Sequence, residues 1–97
     1  MPHIRFTDRP DPEIMAELGH RLAAVRQTRG LTQAGAAEQA GVGRATVSRA
    51  ERGENPNLLT LVRLLRVYGR LDALEAFLPE PEVSPMALIR SAGRKDG

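Results

Sequence analysis

The stretch Leu31–Gly53, LTQAGAAEQAGVGRATVSRAERG, constrains this chain more than any other. Thr32 is suited to cap one short helix, Gly41 stands where a left-handed turn residue is needed, and a second helix runs from Arg44 to Arg52. Two helices this short cannot bury a core alone. Ala37, Val42, Val47 and Ala50 face one another across the turn, which leaves Gln33, Arg44, Ala45, Ser48 and Arg49 pointing outward. The pattern is that of a helix-turn-helix, and its outward face suits the major groove of DNA.

Ninety-seven residues allow one small domain. With no cysteine, neither a disulfide nor a thiolate metal site staples it, so helix packing must supply the stability. His3 and His20 are isolated and form no ligand cluster, so no metal and no cofactor is expected. No apolar run reaches membrane-spanning length, and the opening MPHIRFTDRP has no signal-peptide apolar region. A cytoplasmic protein without a membrane partner is the expectation. The net charge is only +2, but it is unevenly laid out: from Leu18 to Gly69 eight arginines face three glutamates, leaving the flanks at −3. Thirteen of the fourteen basic residues are arginine, whose planar fork matches phosphate and the guanine edge. A GC-rich genome accounts for the near absence of lysine, not for the central concentration of charge.

The residues Arg29-Gly30-Leu31-Thr32-Gln33, then Ala37, Gly41-Val42, Thr46-Val47-Ser48-Arg49, Glu51 and Gly53, with Leu61 and Leu64-Leu65 beyond, resemble the Cro/phage-repressor (XRE) helix-turn-helix family over roughly Leu18 to Gly69. The resemblance implies an all-α, five-helix, lambda-repressor-like DNA-binding domain over residues 12–78, with its helix-turn-helix core at 32–53. Residues 1–11 are then a flexible tail or short strand, and 79–97 a Pro-rich linker and flexible tail with a short helix. The partner implied is double-stranded DNA.

By the same resemblance, Arg44, Ala45 and Arg49 match positions that read bases. Arginine takes guanine N7 and O6, and Ala45 meets a thymine methyl. Ser48 shares that face and is counted with the base-contacting residues, although its short hydroxyl also suits phosphate, as does that of Thr46. Gln33 resembles the family's glutamine that reaches a DNA phosphate at a helix N-terminus. Thr32, Arg21, Arg29, Arg52 and Asn55 complete the expected phosphate set. Arg26 matches the arginine that pairs with the counterpart of Glu51, so its expected role is a structural salt bridge and not a DNA contact. The chain departs from the family pattern at four places. Gly35 and Ala36 replace the usual glutamate and leucine, Gly43 replaces a serine cap, the loop Glu54-Asn55-Pro56-Asn57 is about one residue short, and Glu54 stands where many relatives have lysine.

Outside this segment the first helix is expected to begin after Asp11 as N-cap, with Pro12 at its first position. Ile14, Leu18, Leu22 and Val25 form its apolar face, and Gly30 stops it. A fourth helix, capped by Asn57 or a neighbour, closes the core with Leu58, Leu61, Val62, Leu65 and Tyr68 and ends at Gly69. Leu71, Leu74, Phe77 and Leu78 form a second apolar stripe, read as part core and part homodimer interface. His3 to Thr7 alternates, so it is either a frayed tail or a strand pairing with its copy in a second subunit. Ser84-Pro85 opens a stub of apolar helix through Met86, Leu88 and Ile89. The short loop together with FLPEPEVSPMALI resembles small antitoxins encoded beside Hip-type kinase toxins.

No cysteine, paired histidine or glycine-rich phosphate loop is present, and the acidic residues lie on outer faces, so an enzyme is not expected. Two readings remain: a sequence-specific DNA-binding regulator, acting most simply as a homodimeric repressor, and an antitoxin that neutralises a partner and represses its own operon. Gly35 also yields a stability test, since it removes the capping-box glutamate and glycine within a helix costs about 1 kcal/mol relative to alanine. Gly35→Glu is expected to raise the melting temperature; an unchanged or lower value overturns that reading.

Overall fold

The computed structural model describes residues 5–82. Among them the chain forms α1 (Asp11–Thr28), α2 (Gln33–Ala40), α3 (Arg44–Glu51), α4 (Leu58–Val67) and α5 (Asp72–Phe77), with no strand. α3 packs on both α1 and α2, and α4 packs on α2. The expected stub helix from Ser84 lies outside the described residues, as do Met1–Ile4.

Local chemistry sets the helix ends. Thr32 Oγ1 accepts from the Gly35 amide at 2.9 Å, and Asn57 Oδ1 from the Thr60 amide at 2.8 Å, so both side chains satisfy a first-turn donor. Gly41, at φ 71°, turns the chain out of α2. Gly53, at φ 73°, ends α3: its amide bonds Ala50 O at 3.0 Å and the Glu54 amide bonds Arg49 O at 2.9 Å. At Gly35 a Cβ would come 3.2 Å from Thr32 Oγ1, so the gain expected from Gly35→Glu requires the cap hydroxyl to shift by a few tenths of an ångström.

The structure adds one detail to the flanks and corrects two expectations. First, the described end of the stretch left open between tail and strand enters a single turn of 3-10 helix at Phe6–Asp8, with Asp8 N bonded to Arg5 O at 3.0 Å and Arg9 N to Phe6 O at 3.1 Å. A lone strand has no neighbour for its backbone groups, whereas a turn pairs them locally. The Phe6 ring also lies 5.1 Å from the Arg21 guanidinium, which tethers the turn to α1. Second, Pro10 and not Asp11 is the N-cap of α1, and Asp11 starts the helix with Pro12 and Glu13 behind it. Third, Leu18 remains 44% exposed. The buried line of α1 runs instead through Gly19, Leu22 and Arg26, one position round from the apolar face read in the sequence.

The core is small. Leu22, Ala36, Ala37, Val47, Ala50, Leu64 and Tyr68 are buried, with Val25, Leu31, Ala40, Val42, Leu61, Leu65 and Val67 packed around them. The alanines of α2 let α3 and α4 approach closely. On α4 the buried positions are Thr60, Leu64 and Tyr68, while Leu58 and Leu59 are exposed. The expected stripe is thereby rotated, with Thr60 and Leu64 buried and Leu58 left outside.

Gly19 and Gly53 carry the tightest contacts. A Cβ on Gly19 would fall 2.5 Å from Glu51 O, and one on Gly53 would fall 2.5 Å from Met15 O, so α1 meets the end of α3 backbone to backbone. Gly19→Ala is expected to cost about 1–3 kcal/mol through overpacking, read as a lower midpoint in urea with an unchanged slope.

Candidate nucleic-acid interface

A buried ion pair fixes α3. Arg26 on α1 donates to Glu51 through Nε (2.6 Å to Oε2) and Nη2 (3.0 Å to Oε1), and through Nη1 to the Leu31 carbonyl at 2.7 Å. The hydrogen bond to Glu51 raises the Arg26 pKa above its ordinary value and keeps it charged. Gln33 adds a fourth bond, Nε2 to Glu51 Oε1 at 3.0 Å, so α1, the following loop, α2 and α3 meet at one ion pair. Gln33 therefore uses one amide hydrogen inside the protein and keeps the second for an outside acceptor.

With Val47, Ala50 and Glu51 turned inward, the opposite face of α3 is set. Arg44, Ala45 and Arg49 are exposed, and Ser48 and Thr46 are half-buried beside them. Gly43, extended at φ −78°, caps the helix without a side-chain bond, leaving the first turn of α3 open to solvent. A basic face on one eight-residue helix, braced by a second of equal length across a left-handed glycine turn, is the arrangement that enters a major groove. A family model described as a helix-turn-helix domain matches residues 17–78. This chain is an XRE-like helix-turn-helix protein.

The chain is 42% identical over 65 residues to the HTH-type transcriptional regulator PuuR of Escherichia coli (strain K12) and equally to PuuR of Shigella flexneri. Each match covers 66% of this chain but only 34% of the relative, so the chain spans about a third of the length of the curated relatives it matches. The matched region of this helix-turn-helix protein contains every residue expected at DNA.

Those residues fall into two groups. Arg29 and Asn55 are exposed; Asn55 adopts a left-handed φ of 46°, which asparagine tolerates. Arg21, Thr32, Gln33, Ser48 and Arg52 have partners within the fold. Arg21 pairs with Glu17 at 2.8 Å, Thr32 is the α2 cap, and Arg52 pairs with Glu54 at 2.6 Å while donating through Nη1 to Ser48 Oγ. This last triad was not read from the sequence, although Ser48 and Arg52 stand four residues apart on a helix, the spacing at which side chains meet. On the stripe read as a dimer interface, Leu71 and Leu74 are half-buried and Phe77 and Leu78 are 66% and 74% exposed. Among the described residues no helix is long and apolar enough to cross a membrane.

Tyr68 closes the core beside the ion pair, and its hydroxyl has no hydrogen-bond partner. Burial, reinforced by the Glu51 charge, pushes its pKa up to about 12, with Arg26 opposing. Because the folded value exceeds that of the unfolded chain, near 10, this contribution to stability is complete below pH 10 and is lost as pH rises towards 12. Tyr68 is the only tyrosine, so tyrosinate absorbance reports it alone. Tyr68→Phe is expected to change stability by less than about 1 kcal/mol at pH 7 and to remove the tyrosine-dependent loss between pH 10 and 12, measured by urea denaturation across pH.

Proposed function

We propose that this chain is a sequence-specific DNA-binding transcriptional regulator, binding operator DNA as a homodimer and repressing by occupying a promoter. The carrying observation is the division of α3: Val47 and Ala50 buried with Glu51 clamped behind them, Arg44, Ala45 and Arg49 exposed in front. Similarity to HTH-type transcriptional regulators supports the same reading. Arg44 and Arg49 are the guanine-reading side chains, Ala45 the apolar contact, and Ser48 completes the base-contacting face. Arg29, Arg21, Asn55, Thr46, Thr32 and the free amide hydrogen of Gln33 meet the backbone and fix register. One such helix spans too few base pairs for useful discrimination, so two copies lie in successive major grooves about 34 Å apart. Phe77 and Leu78, with Leu71 and Leu74 behind them, form the surface joining the copies.

A second reading, an antitoxin that binds a kinase toxin and autoregulates its operon, is favoured by the same exposed Phe77 and Leu78, apolar surface that a different protein would equally cover.

Fluorescence anisotropy with the upstream DNA of its own gene and a scrambled duplex, across salt, tests the first reading. Wild type is expected to prefer its own promoter by about 10³ or more, and Arg44→Ala with Arg49→Ala to lose the preference while keeping a salt-dependent residual. If both proteins bind every duplex weakly and alike, the DNA reading fails and a protein partner becomes the target.

A further inference from the structure

Arg52 follows the last turn of α3 on the outward arc, four residues beyond Ser48. Its guanidinium is directed on two sides. Nε donates to Glu54 Oε2 at 2.6 Å and Nη2 to Oε1 at 3.4 Å, while Nη1 donates to Ser48 Oγ. The hydrogen bond from Arg52 holds the Glu54 carboxyl below the usual carboxylate range, so the brace stays charged. A helical hydroxyl has another common option, which Thr28 takes: its Oγ1 donates back to the Ala24 carbonyl at 2.9 Å. Ser48 instead accepts from Arg52, and among the described residues nothing takes its hydroxyl proton.

We propose that Glu54 and Arg52 are positioning residues that fix Ser48 as a hydrogen-bond donor on the base-reading face, so that this protein rejects cytosine at the base Ser48 faces. The inference rests on the reading of α3 as the base-reading helix and adds to it. A hydroxyl has one proton and two lone pairs; with one lone pair taken by a cation, the proton is what it offers, and the adjoining positive charge repels a second donor. Guanine N7 and O6, adenine N7 and thymine O4 are acceptors in the major groove, whereas cytosine presents only its N4 donor there. Arg44 and Arg49 have no acceptor either. The arc formed by Arg44, Ala45, Ser48 and Arg49 then consists of donors and one methyl, which suits a half-site rich in guanine. Glu54 matters through its reach: by holding Arg52 against Ser48 it withdraws that arginine from the DNA backbone.

Affinity selection from a duplex pool randomised across one half-site, run with wild type, Ser48→Ala, Arg52→Met and Glu54→Ala, tests this. Each variant is first checked for an unchanged thermal transition. Wild type is expected to deplete cytosine about tenfold at one position, within the range of a single mismatch. That depletion is expected to vanish in Ser48→Ala and Arg52→Met and to weaken in Glu54→Ala, while guanine enrichment at the Arg44 and Arg49 positions persists in all four. Glu54→Ala is also expected to steepen the salt dependence by about one phosphate contact as Arg52 is released. Cytosine depletion that survives Arg52→Met overturns the proposal. So does an Arg52→Met variant that keeps the full sequence preference but flattens the salt slope by about one, since Arg52 is then a phosphate ligand. Guanine enrichment without cytosine depletion sinks this proposal alone; a wild type that enriches no sequence sinks the base-reading helix with it.

Discussion

The Arg26–Glu51 pair is the interaction on which the rest of the fold depends. Both side chains are nearly withdrawn from water, at 11% and 6% exposure, and every nitrogen of the guanidinium donates to an internal acceptor. Removing one partner would leave a buried charge uncompensated, a loss of about 3–5 kcal/mol in comparable pairs and a large share of a small domain's stability. Among the described residues the largest fully buried side chains are Tyr68, Leu64 and Val47, and apolar contacts of that kind are non-directional. A bidentate pair is directional. It sets the rotation of α3 about its own axis, and through Leu31 and Gln33 it ties the preceding loop and α2 to the same point. The backbone contact at Gly19 and Gly53 sets the depth at which α3 seats on α1.

Much of this was legible in the sequence where a residue type has one strong local preference. Thr32, Gly41 and Asn57 sit at the helix ends their chemistry favours, and Ala37, Val47 and Ala50 are buried across the turn. The readings that went astray share a cause: periodicity counts apolar side chains, and part of this interior is not apolar. The buried line of α1 includes a glycine and an arginine, so scoring leucines and isoleucine placed Leu18 inward when it is half in solvent. On α4 a buried threonine marks the true phase, and two exposed leucines at its start mislead. The candidate interface divides the same way. Exposure of Arg44, Ala45 and Arg49 follows from the helix period, whereas the bracing of Ser48 by Arg52 and Glu54 depends on how the chain leaves α3 through Gly53.

α3 has eight residues and two unrelated tasks. Its inward side, Val47, Ala50 and Glu51, takes up the whole of its contribution to folding, and its outward side adds no apolar contact to the core. Substitutions on that outward side therefore meet almost no stability penalty, so the helix can drift in sequence there while its seat on α1 and α2 is unchanged. A gene duplicate of such a chain could acquire new binding preferences in single steps, each intermediate remaining folded. The exception is the end of the helix: because Arg52 and Glu54 reach back from the exit loop, insertions in that loop would alter what the helix presents without touching it.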